Sequence, residues 1–260
     1  MNFALPILAG LVQGLTEFLP VSSTGHLIIF ENIFKISQKD FGLAFDASLH
    51  LGTLLAVVLF FYKDYLKVLN LKNRLFLKLV VGTIPAAFFG LLFESKIESD
   101  VRQLWVIGLA LVLFSFVMIL AEKISTKNKN ENSLKLKDSF LIGLAQALAL
   151  IPGISRSGST MSAGLFLNLS REESAKFAFM LSGPIVAGAG AKKFLEVATS
   201  KSLSSQDLSF FIVGIISSAI FGYLTIKYFL KYLATNSLYP FIVYRLILGF
   251  LLISTVFWLK

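Results

Sequence analysis

The chain has 260 residues, of which 56% are hydrophobic and 15% are charged, and its formal net charge is +9 at pH 7. A soluble domain of this length could not bury so much apolar surface, so the composition excludes a soluble globular protein and predicts a polytopic membrane protein. The absence of cysteine excludes disulfides and thiolate metal sites. The basic residues fall mainly between apolar runs, which indicates membrane topology and anionic lipid, not nucleic acid, as the reason for the positive charge.

The first distinctive segment, residues 11–27, places polar side chains inside an otherwise apolar run. Polar and ionisable groups at membrane depth are unfavourable and by default mark a functional site. Residues 146–160 follow the same plan, with a Gln, an apolar run, a Pro and a hydroxyl-rich stretch that contains Arg156. We therefore expect the two segments to be the halves of one site. The polar residues of the first segment are Gln13, Glu17, Ser22, Ser23, Thr24 and His26.

Neither segment is long enough to form a spanning helix. The apolar arm after Pro20 covers only residues 27–34, and the arm after Pro152 covers residues 161–169, whereas a crossing needs about 20 helical residues. Each proline ends the helix before it, because proline cannot continue the helical hydrogen-bond ladder. Each segment is therefore predicted to be the tip of a re-entrant helix–loop–helix hairpin, which is tolerated at membrane depth where it is buried in protein or lines a wet cavity.

Three apolar runs follow each hairpin and are predicted to cross the membrane as helices. They cover residues 45–62, 76–93, 104–121, 177–195, 210–226 and 241–259. An odd number of crossings in each half inverts the second half relative to the first. The predicted fold class is therefore all-α integral membrane, with two inverted-topology repeats that each contain one re-entrant hairpin and three transmembrane helices.

Identical residues recur at matching positions in the two halves, which supports the repeat. The residues of the first half are Gly10, Leu11, Gln13, Leu15, Val81, Gly82, Ala87, Phe89, Gly90 and Leu92, and their counterparts are Gly143, Leu144, Gln146, Leu148, Val213, Gly214, Ala219, Phe221, Gly222 and Leu224. We expect a single membrane domain, 1–260, built of repeats at about 1–127 and 136–260. The polar loop 122–138 joins them.

The distribution of Lys and Arg predicts the orientation. The larger share lies on the side formed by residues 63–78, 122–138, 170–176 and 227–239, and the smaller share on the side formed by residues 31–43, 94–103 and 192–208. The positive-inside rule places the first set in the cytoplasm and both termini outside. The first hairpin then enters from outside and the second from the cytoplasm, so their tips meet near the middle of the membrane.

Each polar segment precedes the N-terminus of a short helix, which is expected to begin at about His26 in the first hairpin and Thr160 in the second. Helix N-termini carry unpaired N–H groups and a partial positive charge, so they bind anions. Two such ends facing each other suit a doubly negative group such as a diphosphate, and Arg156 adds a permanently charged, forked donor. Hydroxyl donors come from Ser22, Ser23, Thr24, Ser155, Ser157, Ser159 and Thr160.

Glu17 is the carboxylate of the first segment, and without cysteine a hard cation is its natural partner. Mg²⁺ or Ca²⁺ held by one carboxylate together with substrate phosphates is a common arrangement. Gln13 lies four residues earlier on the same helix face, where its carbonyl oxygen can contribute. We therefore expect a divalent-cation site at Glu17 and Gln13. In the alternative interpretation, Glu17 is an ion-pair partner of Arg156 that holds the hairpins together.

The histidines and one further arginine allow more than one role. Ser23 and His26 are close enough to act as nucleophile and base, with His26 alternatively protonating the leaving group. His50 is a lone histidine within a helix, so it is expected to be structural and an alanine there to be nearly neutral. Arg245 lies within the last apolar run, as either a snorkelling residue near the interface or a second phosphate contact.

At these residues the sequence resembles the bacterial undecaprenyl-diphosphate phosphatase family of the bacitracin-resistance type. The segment QGLTEFLPVSSTGH fits the family's (E/Q)-x-x-x-E motif followed by Pro-Val-Ser-Ser-Thr-Gly-His, and PGISRSGST fits its Pro-Gly-x-Ser-Arg-Ser-x-x-Thr motif. The resemblance spans nearly the whole chain, including FDASLHLGTLLAV after the first hairpin. The first motif position is Gln in this chain, which puts metal ligation by a carboxylate at that position in doubt.

The resemblance implies removal of the terminal phosphate from undecaprenyl diphosphate, which yields the monophosphate lipid carrier for peptidoglycan and other envelope polymers. It also implies a bacterial plasma membrane, with the site open to the outer or periplasmic side, where polymer assembly releases the diphosphate. The implied roles are the metal and acid–base motif for Gln13 and Glu17, nucleophile and proton transfer for Ser23 and His26, and the diphosphate clamp for Arg156, supported by Ser155 and Thr160.

Two other classes of function stay open at this point. Inverted repeats with broken helices are typical of secondary transporters, so transport or flipping of the lipid carrier or of an anion is the main alternative. A non-catalytic envelope scaffold is the third. The expected partners are a polyprenyl diphosphate and membrane lipid, without nucleic acid, and a homo-oligomer is compatible with the sequence.

Overall fold

The computed structural model describes residues 3–36, 43–68, 73–99, 101–200 and 205–258, and this part of the chain is helical without β-strands. The all-α class is confirmed. The helices are α1 (Ala4–Phe18), α2 (Ser23–Phe34), α3 (Leu43–Phe60), α4 (Tyr62–Val68), α5 (Arg74–Ser99), α6 (Leu104–Ile124), α7 (Leu136–Leu148), α8 (Arg156–Phe166), α9 (Arg171–Ser200), α10 (Ser205–Leu233) and α11 (Tyr239–Trp258). A short 3-10 helix, Glu131–Ser133, lies in the polar loop between the two halves.

Three helices of the described part are long and apolar enough to cross a membrane: Arg74–Phe93, Leu104–Ile124 and Leu208–Leu233. They contain the predicted crossings 76–93, 104–121 and 210–226. The predicted crossing 45–62 falls on α3 and the start of α4, which together meet the same criterion but bend by 83° at their junction. These helices make the chain a multi-pass membrane protein.

The other two predicted crossings are less clear-cut. Residues 177–195 lie within α9, which is long but begins with charged residues and contains Pro184. Residues 241–259 correspond to α11, whose apolar portion, Tyr239–Thr255, is shorter than a full crossing, and residue 259 lies outside the described residues.

Each polar segment forms a helix–loop–helix hairpin, α1 with α2 and α7 with α8. The arms have 15 and 12 residues in the first hairpin and 13 and 11 in the second. At 1.5 Å per residue no arm reaches the roughly 30 Å of a bilayer core. No arm of either hairpin can therefore cross the bilayer core by itself, and the re-entrant placement of the hairpins stays a prediction.

The second helix of each hairpin begins earlier than predicted. We expected starts at about His26 and Thr160, but α2 begins at Ser23 and α8 at Arg156. The reason is the serine before each helix. Ser22 and Ser155 have positive φ angles of 74° and 78°, and their hydroxyls accept the N–H groups of Gly25 and Gly158 as N-caps.

The first helix of each hairpin packs against a helix of the other half, α1 against α10 and α7 against α5. Glycines permit this close approach. A Cβ atom on Gly14 would lie 2.7 Å from the backbone nitrogen of Gly222, and one on Gly143 would lie 2.3 Å from the carbonyl oxygen of Gly82. Small residues at helix contacts are typical of membrane bundles. These contacts fix the positions from which the two loops meet.

Candidate functional site

The loops of the two hairpins are hydrogen-bonded to each other. The Gly153 N–H donates to Ser22 Oγ over 3.1 Å, and Ser157 Oγ donates to the Leu19 carbonyl over 2.9 Å. Ser22 Oγ therefore has two functions, because it also caps α2. The structure thus brings the two polar segments together, as the sequence predicts.

An open cavity of about 140 Å³ lies where the two loops meet. Pockets for drug-sized ligands are larger, at about 300–1,000 Å³, so this cavity suits a compact head group and not a whole lipid. Its wall is formed by Glu17, Ser22, Ser23, Thr24, His50, Ala86, Gln146, Ala149, Leu150, Ser155, Arg156 and Ile185. Six of these residues are predicted site residues: Glu17, Ser22, Ser23, Thr24, Ser155 and Arg156.

Glu17 is the centre of the polar contacts in the wall. Its Oε1 forms an ion pair with Arg156 Nη2 from the other hairpin. Its Oε2 accepts hydrogen bonds from Ser23 Oγ at 2.5 Å and from Gln13 Nε2 at 2.9 Å. The ion pair considered as the alternative role of Glu17 is therefore present. Because both partners also line the cavity, the pair is accessible to a ligand.

His50 lies closer to the site than the sequence predicts. Its Nε2 is 3.7 Å from Glu17 Oε2, and its ring lines the cavity. Its Nδ1 is 2.8 Å from the Asp46 carbonyl, which can only accept, so Nδ1 carries a hydrogen. The packing of α3 against α1 brings the ring beside Glu17. The position of His50 in the sequence does not predict this contact, and its structural role stays a prediction.

His26 is not among the residues that line the cavity. Its Nδ1 donates to the Ser22 carbonyl at 2.8 Å, and its Nε2 lies 2.6 Å from the Tyr244 hydroxyl. The two rings are also stacked, with centroids 5.7 Å apart. Its role in proton transfer stays a prediction, and the contacts observed tie it to the loop backbone through Ser22.

Three other predicted binding residues lie behind the wall. Gln13 is fully buried and reaches the site through Glu17. Ser157 bonds to the opposite loop, and Thr160 Oγ1 donates to the Arg156 carbonyl at 2.7 Å. All three support residues that line the cavity.

Gln146 belongs to the wall but was not among the predicted site residues. It is 2% exposed, and neither its Oε1 nor its Nε2 has a hydrogen-bond partner in the described part of the chain. A buried amide with both groups unpaired is unfavourable, which points to a ligand that completes it. The sequence carried a signal for this residue, since Gln146 is the repeat counterpart of Gln13.

The residues around Glu17 suit a hard cation shared with phosphate. Among the described residues there is no group of three or more His, Cys, Asp or Glu that could hold a metal ion by itself. The Nε2 of Gln13 donates to Glu17, and the Oε1 of the same amide is buried without a partner in the described part of the chain. One carboxylate and one amide oxygen are ligands that Mg²⁺ or Ca²⁺ accepts when substrate oxygens supply the rest. The donor set therefore fits a cation that binds together with its substrate.

Comparison with known proteins decides the family. Residues 6–251 match the family model described as "Bacitracin resistance protein BacA". The chain belongs to this BacA family. Proteins named "Undecaprenyl-diphosphatase" are similar over nearly their whole length: the one from Moorella thermoacetica is 41% identical and both chains are fully covered.

Two further relatives with the same name agree. The protein from Thermodesulfovibrio yellowstonii is 44% identical over 92% of this chain and 91% of its own. The one from Rubrobacter xylanophilus is 40% identical over 94% of each chain. The resemblance seen in the two polar segments thus extends over nearly the whole chain.

Proposed function

We propose that this protein hydrolyses undecaprenyl diphosphate to undecaprenyl phosphate and inorganic phosphate. The observation that carries the proposal is the cavity of head-group size in which Arg156, Glu17 and Ser23 converge from two hairpins. The names of the BacA relatives support this substrate. The product would be the lipid carrier reused for peptidoglycan and other envelope polymers, and the family name fits a role in bacitracin resistance.

The positive elements of the cavity would bind the diphosphate. The N-cap residues of α2 and α8, Ser22 and Ser155, both line the wall, so two helix N-termini lie beside it. Arg156 contributes a forked cation, and its ion pair with Glu17 uses one terminal nitrogen. Charge that develops on the phosphoryl group during transfer would be stabilised by donors already in place.

The contacts of Ser23 support it as the nucleophile. In the first step of hydrolysis, Ser23 Oγ attacks the terminal phosphorus of the diphosphate and forms a new O–P bond. The bond between this phosphorus and the bridging oxygen breaks, and the lipid monophosphate is released. Ser23 Oγ already donates to Glu17 Oε2 at 2.5 Å, so Glu17 accepts the hydroxyl proton. Water then attacks the phosphorus of the phosphoserine, a new O–P bond forms and the bond between Ser23 Oγ and phosphorus breaks. Glu17 returns the proton to Ser23 Oγ, and the hydrogens of the water leave with the inorganic phosphate or pass to solvent. The geometry favours Glu17 over His26 for this transfer, because both ring nitrogens of His26 have other partners.

Gln146 and His50 also line the cavity. The unpaired amide of Gln146 can donate its N–H groups to a phosphate oxygen. The Nε2 of His50, which lies 3.7 Å from Glu17 Oε2, can form a hydrogen bond with a phosphate group or with water. We include both residues in the binding site.

A divalent cation, Mg²⁺ or Ca²⁺, is part of the proposal. Glu17 and Gln13 would hold it, and a bound cation would neutralise part of the diphosphate charge. No other protein carboxylate of the described cavity wall is available for this task.

Chelation is expected to stop phosphate release, and added Mg²⁺ or Ca²⁺ to restore it, whereas Zn²⁺ should not be required. The reason is that the proposed ligands are all oxygen atoms with a single carboxylate among them. Such a site prefers hard cations and binds them weakly until the substrate supplies further oxygen ligands. The measurement is phosphate release from purified protein after EDTA treatment and metal analysis. Full activity in a metal-free sample would leave Arg156 and the helix N-termini as the charge neutralisers.

The inverted arrangement of the two repeats is part of the same proposal. Matching element order, with one capped hairpin at the start of each half, supports it. The larger share of Lys and Arg in the loops assigned to the cytoplasm supports an outward-facing site in the bacterial plasma membrane. The prenyl chain would then remain in lipid while the head group enters the cavity.

Single cysteines test this orientation directly, because the chain has no native cysteine. Gln103 and Ser133 are exposed and lie on opposite predicted sides. Gln103→Cys is expected to react with a membrane-impermeant thiol reagent in intact cells, and Ser133→Cys only after the membrane is broken. The reverse pattern would invert the topology without changing the chemistry of the site.

Phosphate release from detergent-purified protein tests the proposed function itself. Undecaprenyl diphosphate should yield one inorganic phosphate per lipid, together with the monophosphate. A transporter or flippase of the lipid carrier would move its cargo in vesicles but release no phosphate in detergent, and a scaffold would do neither. Absence of release in the presence of Mg²⁺ or Ca²⁺ would therefore reject the hydrolase.

A further inference from the structure

Arg245 lies in the second turn of α11 and is completely buried. Its place in an apolar helix allowed two roles from sequence, snorkelling to the membrane interface or contact with phosphate. The structure supports neither role, since the side chain is 0% exposed and is absent from the cavity wall. A third role is needed for an arginine in this position.

The guanidinium of Arg245 is hydrogen-bonded to both hairpin loops. Its Nη1 donates to the Pro20 carbonyl at 3.1 Å, and its Nη2 donates to the Gly153 carbonyl at 3.0 Å. Two further contacts, to Ser115 Oγ at 3.2 Å and the Leu111 carbonyl at 3.4 Å, attach it to α6. One side chain therefore joins α11, α6 and the tips of both hairpins.

Every one of these acceptors is a neutral oxygen in the described part of the chain. A buried charge without a carboxylate partner is unfavourable, so the presence of a guanidinium at this position indicates that its hydrogen-bond geometry is needed. Carbonyls of irregular backbone at membrane depth require donors from elsewhere in the protein when they are buried, since they lack helical partners. Pro20 follows the end of α1 and Gly153 has a φ of +100°, so both carbonyls belong to such backbone.

The carbonyls of Pro20 and Gly153 lie at the same distance in sequence from a residue of the proposed active site. Pro20 precedes Ser23 by three residues, and Gly153 precedes Arg156 by three residues. A donor that fixes both carbonyls thereby fixes the spacing between the proposed nucleophile and the proposed diphosphate clamp. The planar fork of arginine can hold several acceptors at once, whereas the ammonium of lysine is a point donor on a flexible stem.

We propose that Arg245 is a positioning residue that holds the tips of the two hairpins in register for phosphoryl transfer. The expected effect on kcat rests on the proposed hydrolase function. The structural consequence, that loss of the fork loosens the two tips, is independent of that function.

The test compares Arg245→Lys and Arg245→Met with Ser115→Ala as a matched control. Arg245→Lys is expected to lower kcat by about 10-fold and Arg245→Met by about 100-fold, with KM changed less than about 3-fold, because misplacement of reacting groups acts on turnover. Ser115→Ala removes one α6 contact but leaves both loop carbonyls bonded, so it should remain near wild type. Thermal unfolding in detergent monitors folding, and the lysine variant decides the question if the methionine variant does not fold.

A second readout separates the inference from the proposed function. Thr24→Cys places a thiol in the cavity wall of a chain without other cysteines, and its labelling rate is expected to rise several-fold when combined with Arg245→Lys. That rise is required even if wild-type protein releases no phosphate, an outcome that would reject the hydrolase alone. Unchanged labelling with unchanged kcat in Arg245→Lys would overturn the positioning role, and a raised KM with unchanged kcat would show direct substrate contact instead.

Discussion

Replacement of Arg156 by lysine is expected to lower phosphate release by about 10²–10³-fold, because the transition state loses a forked, preorganised cation. Lysine keeps the charge but supplies a point donor that cannot hold two phosphate oxygens in one plane. The protein should still fold, because an ion pair with Glu17 stays within reach of an ammonium group. The measurement is kcat/KM for undecaprenyl diphosphate with purified protein.

Arg171→Lys is the matched control for this change. Arg171 also forms an ion pair, with Nε 2.9 Å from Glu122 Oε1, but it lies outside the cavity wall. Its variant should retain most of the activity. Equal losses in the two variants would show that ion pairing in general, and not the diphosphate clamp, accounts for the effect of Arg156.

Glu17→Gln is expected to reduce phosphate release by a similar factor, about 10²–10³-fold. Glutamine has nearly the same shape, but it cannot accept the Ser23 proton and no longer supplies a charged ligand for the cation. It also presents N–H groups where Ser23, Gln13 and Arg156 now donate to the carboxylate. The loss should appear in kcat, with thermal stability measured in parallel.

Glu122→Gln separates catalysis from structure in the same way. Glu122 is also buried and paired with arginine, and it additionally accepts the Leu238 N–H at 2.9 Å. A purely structural role for Glu17 predicts that both glutamine variants lose stability and activity in proportion. A chemical role predicts that Glu122→Gln loses stability alone.

The sequence was sufficient to predict that the two polar segments meet, because polar groups in an apolar chain have few favourable places. It did not predict where the second helix of each hairpin begins. Ser22 and Ser155 adopt positive φ angles that serine rarely takes, so a helix start directly after them lacks a strong local signal. Consequently Ser23 and Ser157 lie in helical first turns and not in loops, and Thr160 lies one turn into α8 and not at its start.

The remaining differences come from tertiary contacts between distant parts of the chain. His50 reaches Glu17 through the packing of α3 on α1, and His26 turns toward Tyr244, which is far away in sequence. Arg245 finds its acceptors in three other elements. Local patterns give residue types and periodicity, but which side chain faces the cavity depends on how the helices pack.

The central claim is that the diphosphate binds in the cavity between the hairpin tips, and protection of Thr24→Cys tests it most directly. Thr24 lines the cavity, and the thiol would be unique in the chain. A non-hydrolysable prenyl diphosphonate that inhibits phosphate release by this variant should slow its labelling in proportion to inhibition, while Ser133→Cys in the polar loop should label at an unchanged rate. Inhibition of phosphate release without any protection of Thr24→Cys would place the diphosphate elsewhere and contradict the account.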